Sequence, residues 1–227
     1  MLLRDKFTLL CATAALLTAG TVSAATLQLD FDYDFSDPLD PDSMLPDGPS
    51  PWATAVFDDQ GSAGTVVLTI SVAGTVGAAD VGSVYLNSDI GGLSFSTIDD
   101  SAVTSSSISY SSNTYQAGND GQFDIFIDLP PPGGDRLGAG ESISFLISGA
   151  GITASTFNSL SNPTPESLTG PFLGAMQFLD TGECVIVNEE CTYPNSAWVA
   201  AVPVPAAVWL FGSALGMLGW LRRKRNV

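Results

Sequence analysis

No stretch between residues 26 and 200 holds a helical hydrophobic period over three turns; apolar residues come in short runs set between Gly, Asn, Asp, Ser and Pro. Such a chain can bury its apolar side chains only by pairing strands. The clearest run is Leu27 to Phe35, where Leu29, Phe31, Tyr33 and Phe35 alternate with Gln28, Asp30, Asp32 and Asp34. A period of two places the apolar set on one face and the polar set on the other. The segment Gly64–Val72 reads G-T-V-V-L-T-I-S-V, a strongly β-branched strand. Further strands are predicted at Ala53–Phe57, Val81–Leu86, Leu93–Phe95, Ile108–Tyr110, Phe123–Leu129, Ser142–Ile147, Phe172–Phe178 and Ala197–Ala201, with one short helical turn over Ser155–Leu160. The expectation is an all-β chain whose residues 25–201 form one antiparallel, jelly-roll-like β-sandwich, large enough for an adequate core.

The charges divide the chain differently. Arg4 and Lys6 stand at one end and Arg222, Arg223, Lys224 and Arg225 at the other, leaving Arg136 as the one base between positions 7 and 221. The same interval holds every acidic residue except Asp5, 23 of the 24, so its net charge is 1 − 23 = −22. Apolar types make up 45% of the chain, the level of a globular protein rather than of an acidic disordered tail. A domain this acidic lacks the Lys and Arg that phosphate contacts need, so no nucleic-acid partner is expected. The chain has no histidine. That excludes Ser-His-Asp and Cys-His catalysis and ordinary histidine zinc sites.

The two basic ends flank apolar segments. Arg4 and Lys6 precede the apolar run Phe7–Ala19, then Gly20, then the small residues Val22-Ser23-Ala24. This is the build of a secretory signal helix over residues 1–24, handed to a secretion translocon and cut between Ala24 and Ala25, with Ala25/Thr26 as the near alternative. At the other end Val202-Pro203-Val204-Pro205 must be extended, because each residue before a proline is pushed out of the helical region. Pro205 can open a helix, and Ala206 to Leu221 is uncharged. A transmembrane helix over 205–221 would be about 25 Å long at 1.5 Å per residue, a marginal span of the hydrocarbon core. The stop-transfer residues Arg222, Arg223, Lys224 and Arg225 follow and would stay cytoplasmic. Trp209 and Trp220 suit interfacial anchors, and Gly212, Gly216 and Gly219 permit close helix contact in lipid.

This tail, V-P-V-P-A-A-V-W-L-F-G-S-A from Val202 to Ala214, resembles the VPLPA-CTERM variant of the PEP-CTERM sorting signals of Gram-negative bacteria. It departs from the pattern at Val204, where leucine is usual. The body resembles the same secreted proteins less specifically, at Pro51-Trp52-Ala53-Thr54-Ala55-Val56-Phe57, Gly64–Ile70, Asp120–Ile125, Gly170–Gln177 and Ser196-Ala197-Trp198. The resemblance implies an inner-membrane-anchored precursor, processed by exosortase at Val202, Pro203, Val204, Pro205 and Ala206 and passed to the cell surface or outside. In that family the substrates commonly accompany exopolysaccharide. The expected function is therefore a non-catalytic surface or extracellular-matrix protein, associated with exopolysaccharide or biofilm. A plain single-pass anchor is the competing reading of the tail.

Cys184 and Cys191 are the cysteines left once the signal is removed, and an even count in an exported chain reads as a disulfide. Closing so short a loop would stabilise by roughly 2.5 kcal/mol. Asp30, Asp32 and Asp34, about 6.8 Å apart at alternate residues, then Asp37, Asp40, Asp42 and Asp47, are oxygen-rich enough to raise Ca²⁺ as a ligand; a solvated acidic face is the competing reading and no other cofactor is expected. Asp120, Asp124 and Asp128 form a second acidic trio. Two further functions stay open. One is a carbohydrate-binding or adhesive module using Tyr110, Tyr115 or Trp52 as sugar platforms. The other is a secreted hydrolase built on two carboxylates.

Overall fold

The computed structural model describes residues 24–36, 44–99, 101–103, 106–118, 120–129, 136–165, 167, 169–182, 185–187, 190–192 and 195–203. The signal segment 1–23, the sorting residues Val204, Pro205 and Ala206, the membrane helix 205–221, the basic tail, Cys184 and Asp37, Asp40 and Asp42 lie outside them.

Thirteen strands are described, in chain order β1 (Thr26–Phe31), β2 (Tyr33–Asp34), β3 (Ala53–Asp58), β4 (Thr65–Val72), β5 (Asp80–Leu86), β6 (Ser94–Asp99), β7 (Ser107–Ala117), β8 (Asp120–Asp128), β9 (Ser142–Ser148), β10 (Gly174–Thr181), β11 (Val185–Val187), β12 (Glu190–Thr192) and β13 (Asn195–Ala201). They form two main antiparallel sheets, ordered β1-β3-β4-β9-β6 and β2-β13-β10-β5-β8-β7, and a small hairpin of β11 and β12. One core lies between the sheets. Leu29, Phe57, Leu68, Ile70 and Phe145 come from the five-stranded sheet, and Val84, Ile125, Ile127, Phe178 and Val199 from the six-stranded one. In β4 every second residue is buried, as the alternation of branched side chains in its sequence requires.

The Leu27–Phe35 run is not the single strand that its alternation predicts. At Phe31 the carbonyl still accepts from Trp52 N–H (3.1 Å), beside β3. At Asp32 the N–H already donates to Ala200 O on β13 (3.3 Å). The chain thus crosses from the edge of one sheet to the edge of the other, and Tyr33 and Phe35 leave the inter-sheet core that holds Leu29 and Phe31.

Other predicted boundaries shift for physical reasons. The Ile108–Tyr110 run is the start of an eleven-residue strand, whose serines and threonines face solvent at the sheet edge and so carry no apolar alternation. The run Leu93–Phe95 continues to Asp99 as a second exposed edge strand. The Phe172–Phe178 segment enters its strand only at Gly174 and runs on to Thr181. The helical turn is a 3-10 helix over Ala154–Phe157, and it seats Phe157 flat on Phe57 with centroids 4.3 Å apart. Both edges of the six-stranded sheet are blunted against further pairing: β2 has two residues, and β7 breaks register between Tyr110 and Tyr115.

Candidate functional site

The outer face of the six-stranded sheet carries a row of aromatic side chains across the strands. Tyr85 on β5 stands opposite Phe126 on β8 and Ala175 on β10. Because Ala175 is small, Trp198 on β13 reaches over β10 to Tyr85, with centroids 5.7 Å apart. The row continues on one side through Phe126 (5.1 Å from Tyr85) to Tyr115 on β7 (5.5 Å from Phe126). On the other side Trp198 meets Phe35 at 6.0 Å, Phe35 meets Phe172 at 4.8 Å, and Phe172 meets Tyr33 at 5.9 Å. These spacings fall in the range of favourable tilted or offset ring pairs.

Backbone bonds fix the row. Phe35 N–H donates to Trp198 O (3.1 Å), and Trp198 N–H donates to Ser36 Oγ (2.9 Å). Gly118, with φ 54°, lies over the Trp198 indole; a Cβ there would be 3.4 Å from Cε2. Within this cluster Tyr85, Phe123 and Phe172 are buried, whereas Phe35, Tyr115, Phe126 and Trp198 are half-buried and Tyr33 is 40% exposed. Burial pushes the Tyr85 phenol above its ordinary range. The surface is therefore a shallow aromatic strip in a strongly acidic domain.

Tyr115 belongs to this row. The other two suggested platforms do not. Trp52 is buried in the inter-sheet core, where its indole Nε1–H donates to Gly48 O (3.3 Å). Tyr110 packs its ring against the same core, on the opposite face of β7.

The carboxylates do structural work. Asp30 lies on β1 and Asp34 on β2, in different sheets, with Asp32 at the crossing between them, so the trio shares no strand face. Asp30 Oδ1 accepts from Gln28 (2.7 Å) and Asp34 Oδ1 accepts from Ser36 N–H (2.9 Å). Among the described residues no group of three His, Cys, Asp or Glu could hold a metal ion. Asp120 accepts from Thr169 Oγ1 (2.7 Å). Asp124, 7% exposed, accepts from Ser88 N–H (3.0 Å) and from Asn113 N–H (2.7 Å), the latter pinning the β7 bulge to β8. Asp128 is exposed at the end of β8.

Arg136 is buried, with a 3% exposed side chain. Its Nη1 donates to Asp80 Oδ1 on β5 (3.0 Å) and to Asp180 Oδ2 on β10 (3.1 Å). Burial raises the Asp80 carboxyl above its ordinary range, while the guanidinium pulls it back. This ion triad ties the segment after β8 to the middle of the sheet, where Leu137 also bridges Val81.

Of the expected disulfide, Cys184 lies outside the described residues and Cys191 is described by backbone alone, opposite Ile186 in the β11–β12 hairpin. Among the described residues no helix is long and apolar enough to cross a membrane. Comparison with known protein families, with curated proteins and with solved structures finds no match.

Proposed function

We propose that this chain is an exported, non-catalytic surface or extracellular-matrix protein, held in the inner membrane by its tail and processed by exosortase near Val202–Ala206. In this reading residues 1–24 are a secretory signal, 25–201 a jelly-roll-like ectodomain, and 202–227 the sorting signal. The observation that carries it is the tail itself: the proline motif, an apolar span and Arg222-Arg223-Lys224-Arg225 in immediate succession. The end of the folded domain supports it. The last ladder pair is Gly174 with Ala201, so a cut beyond Ala201 breaks no strand pairing. The test is the mass of the mature protein from cells with and without their exosortase. Loss of the tail near Val202–Ala206 only when the enzyme is present is the expected result. An intact tail ending at Val227 in both strains would make the protein a permanent membrane anchor instead.

A second reading, a carbohydrate-binding or adhesive role, is favoured by the aromatic row. The half-exposed rings of the row offer apolar surface that suits the C–H-lined faces of sugar rings, and a net charge of −22 over residues 25–201 favours a neutral polysaccharide over an acidic one. Polysaccharide pull-down with wild type and Trp198→Ala tests it. Equal retention of the two proteins, or none by either, would set this reading aside.

A further inference from the structure

Asp59 is buried, 7% exposed, immediately after β3. Its partners are backbone groups. Oδ1 accepts from Ala25 N–H at 2.8 Å and from Gly61 N–H at 3.1 Å. Asp59 N–H in turn donates to Ala25 O at 3.2 Å, so Ala25 extends the β1–β3 ladder by one position beyond the Thr26–Asp58 pair. The N–H of Ala25, with those of Gly61 and Ala154, holds the Asp59 carboxyl below the ordinary carboxylate range, against the effect of burial. A buried anion is thus fastened to the backbone nitrogen that signal removal would expose. The one base of the ectodomain, Arg136, is committed to Asp80 and Asp180.

We propose that Asp59 is the receptor for the α-ammonium group created by cleavage between Ala24 and Ala25. The inference rests on the reading of residues 1–24 as a signal. Hydrolysis of the Ala24–Ala25 peptide bond adds one water, leaving a carboxylate on Ala24 and an amine on Ala25, which takes up a proton near neutral pH. The Ala25 nitrogen then carries a full positive charge where it now offers one amide hydrogen, and the contact to Asp59 Oδ1 becomes a charge-assisted one. Signal removal would supply the ectodomain with a second cation, made by processing rather than encoded as a side chain. A chain beginning at Thr26 would lack the nitrogen that reaches Asp59, so the proposal requires the cut at Ala24/Ala25.

The chain offers a clean test, since Lys224 is the one lysine that follows Ala25. The full chain with its own signal is exported from a Gram-negative host, and its N-terminal residue is read by mass spectrometry. The pH dependence of acylation of the α-amine is then followed on an N-terminal fragment, well separated from Lys224. An ordinary α-amine titrates near 7.7–8.0. The expected result is a chain beginning at Ala25 whose amine titrates about one unit higher, hence labels about tenfold more slowly at pH 7. Asp59→Asn should return it to the ordinary range. An alanine inserted between Ala24 and Ala25 should do the same with Asp59 intact, which serves if Asp59→Asn fails to fold. A chain beginning at Ala25 with an ordinary amine in wild type would overturn the proposal. So would a chain beginning at Thr26, although export would stand. Retention of residues 1–24 would overturn the signal reading itself.

Discussion

Replacing Arg136 by methionine removes the one basic side chain of residues 25–201 and keeps much of its apolar stem. Arg136 is 3% exposed, Asp80 22% and Asp180 45%. Removing one partner of a buried ion pair costs about 3–5 kcal/mol, because the other charge stays buried without compensation. Asp80 carries most of that cost. Asp180 is half in water, so its share is that of a screened surface pair, about 0.2–1 kcal/mol. The net expectation is a loss of about 3 kcal/mol at pH 7, or a fall in Tm of roughly 6–12 °C for a domain of this size. No other base in residues 25–201 can move in.

The loss should depend on pH in a definite direction. The Asp80 carboxyl is already raised by burial, and loss of the guanidinium raises it further. A carboxyl with a raised folded pKa destabilises the native state above that pKa and costs nothing once both states are protonated. The deficit of Arg136→Met should therefore be full at neutral pH and shrink as the pH falls through the Asp80 pKa toward the ordinary carboxylate range. Asp80→Asn combined with Arg136→Met should recover most of it. Urea denaturation of residues 25–203 followed by circular dichroism at pH 7 and pH 4.5 is the assay. A deficit below about 1 kcal/mol at pH 7, the scale of a surface pair, or one that grows on acidification, would refute the reasoning.

Phe157→Ala should cost about 3–5 kcal/mol in the same assay, because the ring stacked on Phe57 is fully buried. Asp124→Ala strands the N–H groups of Ser88 and Asn113 and should cost about 1–3 kcal/mol, with amide exchange at Asn113 sped up before that at the β5–β8 ladder. Gly118→Val puts a branched side chain at φ 54° against Trp198, so a loss of about 1–2 kcal/mol is expected with a change in Trp198 emission. A polysaccharide that stacks on the row should alter that emission in wild type and not in Trp198→Ala, whose remaining tryptophan within residues 25–201, Trp52, is in the core.

How much of this was legible in the sequence follows from what period-two patterning encodes. It reports which face of a strand is buried, so β4 and β9 could be read directly: Leu68 and Phe145 each repeat at alternate positions with their neighbours. It does not report which sheet a face belongs to. Leu29 through Phe35 alternate without a break, yet the crossing at Asp32 sends the two ends to different sheets. Edge strands were harder still, because β6 and β7 expose most of their length and have little apolar pattern to show. Of the aromatic row the sequence singled out Tyr115 alone, since the members come from six separate places and Trp198 meets Tyr85 only diagonally over Ala175. Arg136 stood out as the lone base, but its partners lie 56 and 44 residues away in sequence.

The burial of Arg136 has a bearing on how the domain would fare against proteases. Enzymes of the trypsin type cut beside a lysine or arginine held in an acidic specificity pocket. Between Ala25 and Leu221 the chain offers them one such residue, its side chain 3% exposed and clasped by two carboxylates. With the signal and the tail removed as proposed, the folded domain would present no side chain that this class of enzyme can grip. Only an opened molecule could then be cut, at a single bond, into two pieces, so the rate of that one cleavage would report the population of the open form while reclosing outpaces cutting.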